Sequence, residues 1–252
     1  MEIYNDNSGY SKGTSLALTM NKVYAWMSLA LALTAFVAWY LADDFGAEFS
    51  QTGELLYCNT NSLMFKMLSS GQSIQWVLII AEVGLVWYLS ARIMSLSFTT
   101  AATMFGIYSI LNGVMLSTIF LVYDLGTIYA AFFATAGTFA VMSFVGYTTK
   151  KDLSGMGGLL TMLLIGLVVA TLVNMFLKSE GLSTLLTYVG VFLFVGLTAY
   201  DTQKIKEMVE VGNMGALPCD PRNLGIIGAL SLYLDFVNLF LYLLRLFGSR
   251  RD

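Results

Sequence analysis

The chain has 252 residues, 57% of them hydrophobic and 12% charged, with a formal net charge of −3 and a mean hydropathy of +0.73. A soluble globular domain carries about 25% charged residues, so the composition excludes a water-soluble fold and points to an integral membrane protein. Histidine is absent, which excludes His-activated serine or cysteine nucleophiles, His-ligated zinc and His proton relays.

Crossing the hydrocarbon takes about 20 apolar residues per helix. Seven such segments occur in order, at about 23–41, 74–94, 100–122, 127–147, 157–177, 182–207 and 226–246. Together they occupy a single transmembrane domain over 1–252. Runs such as 162–172 are apolar on every side, unlike the period-two alternation of a membrane β-barrel, so the fold class is all-α. The first 22 residues are polar. The run after them is too long for a signal-peptide core, and an uncleaved first span is expected.

Lys and Arg gather on the cytoplasmic side of short flanks. With the N-terminus inside, Lys12, Lys22, Arg92, Lys150, Lys151, Lys204, Lys206 and Arg222 fall there, against Lys66 and Lys178 outside. Seven spans then carry the C-terminus out, although Arg245, Arg250 and Arg251 argue the other way. Two connections are long: an acidic outer one over 42–73, with Asp43, Asp44, Glu48 and Glu54, and an inner one over 208–225 that holds Pro218 and Pro221. The acidic one is expected to be a solvated cover, since no D-x-D-x-D-G spacing occurs in it. Cys58 and Cys219 fall on opposite sides and are not expected to pair. In the fourth span, Ala130 and Ala134 share one face and are expected to pack closely against another helix.

Three carboxylates lie within apolar runs. One at the bilayer centre costs at least about 2.5 kcal/mol, which makes it a functional-site candidate. Asp201 ends the run 182–200, seven residues from the expected inner end of the sixth span; Asp235 lies nine residues into the last span. At 1.5 Å per residue these are about 10 and 13 Å, so two antiparallel helices bring both carboxyls to one level. Two such groups cannot both ionise freely and titrate as a coupled pair. They are hard oxygen ligands for a weakly held Ca²⁺, with Asn238 on the same helical face supplying a neutral oxygen. Glu82, nine residues into the second span, is a second cation station or a structural acid. Arg92, at that span's inner end, either snorkels to the interface or latches Asp201 by an ion pair. The plainer reading of the pair is a helix-end acid at Asp201, near Lys204, and a packing hydrogen bonder at Asp235.

Three stretches carry a resemblance: Gly196-Leu-Thr-Ala-Tyr-Asp-Thr-Gln-Lys-Ile205, Ala229-Leu-Ser-Leu-Tyr-Leu-Asp-Phe-Val-Asn-Leu-Phe240 and Tyr147-Thr-Thr-Lys-Lys-Asp-Leu-Ser154. The chain resembles the transmembrane Bax inhibitor motif family over all seven spans, and its bacterial branch most. The resemblance implies three helical hairpins around a central seventh helix. It also implies a pH-sensitive calcium leak channel in which Asp201 and Asp235 sense pH at the cytoplasmic mouth. The family's latch arginine, counted forward from Glu82, falls at Ile93, with Arg92 one residue before it. The expected setting is a bacterial inner membrane, with membrane lipid, calcium ion as permeant species and other membrane proteins as partners, and no nucleic acid or bound cofactor.

Two other function classes bear on the same residues. A non-transporting membrane regulator, modulating cell death or proteolysis by binding other membrane proteins, is compatible with the same spans. An intramembrane aspartyl protease would need G-x-G-D where Tyr233-Leu234-Asp235 stands, so no enzyme is expected.

Overall fold

The computed structural model describes residues 8–49, 55–70, 72–213 and 221–248. Glu54, Pro218, Cys219, Arg250 and Arg251 lie outside the described residues. Among the described residues, nine helices and one short ribbon follow in order: α1 (Ser8–Phe45), β1 (Glu48–Phe49), β2 (Leu55–Tyr57), α2 (Leu63–Ser69), α3 (Gln72–Arg92), α4 (Phe98–Leu116), α5 (Ile119–Val122), α6 (Leu125–Thr148), α7 (Ser154–Leu177), α8 (Glu180–Asn213) and α9 (Pro221–Phe247). Seven stretches of the described residues are long and apolar enough to cross a membrane, at 16–45, 74–92, 98–122, 125–148, 154–177, 180–212 and 222–247. The seven expected spans are all there, and most differences fall at their ends.

α1 starts 15 residues before the expected first span and runs 4 beyond it. It stops at Gly46, whose φ of 56° is one that glycine accepts without strain; the Gly46 N–H closes on the Ala42 carbonyl at 3.2 Å. The 42–73 connection is partly ordered, with β1 and β2 paired antiparallel and α2 capped by Ser62. Pro221 opens α9 instead of sitting in a loop, because the first helical position needs no N–H donor and suits the fixed φ of proline. The third span breaks at Ser117 and Thr118, between α4 and α5. Their hydroxyls donate to the Val114 and Met115 carbonyls at 2.7 and 2.8 Å, satisfying backbone groups that the broken ladder would strand in hydrocarbon.

α9 is the hub: 72% of its apolar stretch is buried, against 6–33% in the other six spans. It packs on α8, α1, α6 and α4, while α7 leans on α8 and α3 on α4. The central seventh helix of the sequence expectation is therefore present, but the three hairpins are not confirmed in that form. The fifth and sixth spans do pair side by side, whereas the first packs on the third and seventh and the second on the third.

Small residues set the closest approaches. A Cβ at Gly113 would lie 2.7 Å from the Thr34 carbonyl oxygen, and one at Gly146 would run into the Ala199 carbonyl. In α6 the packing stripe is Ile128, Ala131, Thr135, Phe139, Ser143 and Gly146. Ala130, expected to pack, is exposed and Ala134 only half-buried. The stripe is shifted by one residue because the larger Ile128 and Phe139 also face inward.

Three clamps gather one end of the bundle. Gln203 of α8 accepts the Leu153 N–H at 2.7 Å and donates to the Lys151 carbonyl at 2.9 Å. Lys206 donates to the Tyr147 carbonyl at 3.2 Å. Asn223 of α9 donates to the Ile93 and Leu96 carbonyls at 3.2 and 2.8 Å. The exposed Arg92, Lys150, Lys151 and Lys204 therefore share this end.

Candidate functional site

Local packing holds α8 against three neighbours around Tyr200 and Asp201. Gly146 of α6 admits the Ala199 backbone, and Gly157 of α7 leaves room for the Tyr200 ring. On α9, Gly228 does the same for Ile205, where an added Cβ would stand 2.9 Å from the Ile205 Cγ2. Residues 228, 231, 235 and 238 step by three, four and three, so they form one stripe along α9. That stripe faces α8 and carries Gly228, Ser231, Asp235 and Asn238.

Across this contact, Ser231 Oγ donates to Asp201 Oδ2 at 2.9 Å. Asp235 stands one turn beyond Ser231 on the same face, and the charges of Asp201 and Asp235 act on each other. Through Ser231 the two carboxyls lie within about one helical turn of the same level. Both lie farther from the helix ends than expected, 12 residues from the end of α8 and 14 from the start of α9, because both helices extend past the apolar runs. Asp235 is 4% exposed, and its Oδ2 is enclosed without a hydrogen-bond partner. Asp201 is half-buried, and the positive charge acting on it is that of Lys204, one turn on, whose ammonium lies 5.8 Å from the Tyr200 ring centroid.

The other candidates divide. Asn238 lies on the stripe, and its amide donates to the Leu234 carbonyl of its own helix at 2.8 Å. Arg92 is exposed and forms no ion pair with Asp201. The residue pointing inward there is Ile93, 3% exposed, since a side chain one position along a helix turns away by about 100°. Glu82 is not gathered with the pair either. Its charge acts on Tyr108 of α4 and Tyr233 of α9, and its Oε1 is enclosed without a partner. Tyr233 belongs to a second polar cluster, with its hydroxyl 2.7 Å from Thr34 Oγ1, which in turn donates to the Ser109 carbonyl at 2.9 Å. Among the described residues no group of three or more His, Cys, Asp or Glu is placed to hold a metal.

Ser231, Tyr233, Thr34 and Gln203 escaped the sequence reading. For Ser231 the signal was present: it precedes Asp235 by four residues, on the same helical face. Thr34 and Gln203 carried none, because their partners lie 75 and 50 residues away.

A family model described as inhibitor of apoptosis-promoting Bax1 matches residues 16–252. The chain belongs to this Bax inhibitor-like family of membrane proteins. Among relatives, it is similar to the inner membrane protein YbhL of Escherichia coli, 49% identical over 235 residues that cover 92% of each chain. A protein of Borreliella burgdorferi is 40% identical over 238 residues, 92% of this chain and 91% of its own. One of Deinococcus radiodurans is 38% identical over 233 residues, 92% of this chain and 90% of its own. The match takes in α8 and α9 entire, so the carboxyl stripe lies inside the family region.

Proposed function

We propose that the protein is a pH-sensitive calcium leak channel gated by protonation of the Asp201–Asp235 pair. The observation that carries this reading is the buried, unpartnered Asp235 Oδ2 one turn from the Ser231–Asp201 bond. An isolated buried carboxylate is expensive unless it holds a proton or a cation, and among the described residues no arginine or lysine closes on it. With one proton the pair carries one negative charge instead of two and holds a cation less well; without it, two carboxylates and the Asn238 Oδ1 offer oxygen ligands of the kind Ca²⁺ takes. Too few ligands are present for tight storage, which suits passage over retention.

In this reading the clamped basic end is cytoplasmic, in line with the retention of Lys and Arg on that side, and the N-terminus lies inside with the C-terminus outside. The membrane is a bacterial inner membrane, as the name of the Escherichia coli relative says of that protein. The test is calcium flux into liposomes holding only the purified chain, followed across roughly pH 6 to 8 for wild type, Asp201→Asn and Asp235→Asn. Flux above that of empty liposomes with a pH dependence lost in both variants is the expected result. Flux equal to empty liposomes sinks the leak, and a pH dependence kept in both variants sinks the sensor.

A further inference from the structure

A cavity of about 390 Å³ lies between α1, the α4–α5 break, α6 and α9, on the far side of α9 from the carboxyl pair. Its inner wall includes Phe236, Val237 and Phe240, which stand about 100° to 200° round the helix from Asp235. Thr34 is the polar group of that wall. Its hydroxyl already donates to the Ser109 carbonyl and meets the Tyr233 hydroxyl, so it offers a polar guest little. An apolar cavity of about 150 Å³ stays dry and takes up benzene; this one is more than twice as large.

The mouth is open. Trp39 is 53%, Tyr129 59% and Phe132 43% exposed, on the same outward faces of α1 and α6 as Phe36 and Phe133, which are 59% and 70% exposed. Those faces are the surface a membrane-spanning bundle shows to hydrocarbon, so the cavity is continuous with the lipid interface. Trp39 lies six residues before the end of α1 and Tyr129 four after the start of α6, about 9 and 6 Å from those ends. That is the zone in which interfacial Trp and Tyr collect, and it places the mouth near the headgroup level of one leaflet.

We propose that this cavity binds one acyl chain of a phospholipid, entering from the leaflet on the side of the 42–73 connection. The headgroup stays at the mouth beside Trp39 and Tyr129, and the chain lies along Phe236, Val237 and Phe240, against the back of the helix that carries Asp235.

The full chain is reconstituted in phosphatidylcholine vesicles doped with a phosphatidylcholine bearing a diazirine at the end of one acyl chain, photolysed and mapped by peptide mass. Adducts on Phe236, Val237 or Phe240 are expected, because these residues are 7%, 6% and 8% exposed and a chain reaches them through the cavity. Ala35 lines the cavity, so Ala35→Phe is expected to abolish the α9 adducts while adducts on Phe133 persist. Ala32→Phe, on an exposed face outside the cavity, is expected to leave both unchanged. Wild-type adducts confined to outward faces overturn the proposal, as does undiminished α9 labelling in Ala35→Phe. If Ala35→Phe fails to fold, the wild-type map alone decides.

Discussion

α9 and α7 are both long apolar helices, yet 72% of the apolar stretch of α9 is buried and 11% of that of α7. In water such a difference would follow from hydrophobicity. In a bilayer it does not, because lipid tails are as apolar as leucine and burying one leucine against another gains little. What separates the two helices is small and polar residues with distant partners. α9 carries Asn223 bonded to the α3–α4 turn and Ser231 bonded to α8, with Gly228 admitting Ile205 and Val23. α7 has fewer of these: Gly157 admits Tyr200 and Thr171 meets Tyr242, but Thr161 and Thr171 bond carbonyls of their own helix, and Gly158 and Gly166 meet nothing within 4 Å.

The largest expected effect that tests this contrast is at Gly146. Gly146→Leu drives a side chain into the Ala199 carbonyl and is expected to cost about 3 kcal/mol or prevent folding, whereas Gly166→Leu on α7 leaves the melting temperature in detergent near that of wild type. Equal losses in the two variants would break the comparison. Next comes Gln203→Leu, which strands the Leu153 N–H and the Lys151 carbonyl. A loss of about 1–2 kcal/mol and faster tryptic cleavage after Lys150 or Lys151 are expected, the cleavage rate being the direct readout of the freed turn.

Tyr233→Phe removes the hydroxyl that meets Thr34, for a loss of about 1 kcal/mol in thermal unfolding. An unchanged melting temperature would mean that the second polar cluster contributes nothing to holding α1 on α9. The smallest effect belongs to the rim. Asp124 caps α6 through the Thr127 N–H and hydroxyl at 3.0 and 2.6 Å, and these bonds hold its carboxyl below its ordinary value of 3.8. Its contribution is therefore present above that value and is lost as pH falls through the lowered one. Asp124→Asn should lower stability slightly at neutral pH and narrow the gap to wild type in acid, as acid-titrated melting curves would record.

The spans were legible because twenty consecutive apolar residues leave few alternatives, and the Asp201–Asp235 level was legible because helix rise is constant, so errors in the two ends nearly cancelled. The Arg92 latch was not: one residue decides whether a side chain points inward, and register in α3 is set by the buried Leu89 and Ile93. Ala130 and Ala134 misled for the same reason, since a small-residue pair marks a close contact only if the helix is turned that way.

The sequence by itself determined how many times the chain crosses the membrane and which carboxylates lie within the crossing, because both follow from transfer energies counted residue by residue. Only the tertiary structure decided which helix stands at the centre, that Ser231 and not Arg92 meets Asp201, and that Glu82 faces the tyrosines away from the pair. Those depend on helix rotation and neighbour choice, and in an apolar solvent these are set by a few hydrogen bonds and glycine contacts between residues far apart in the chain.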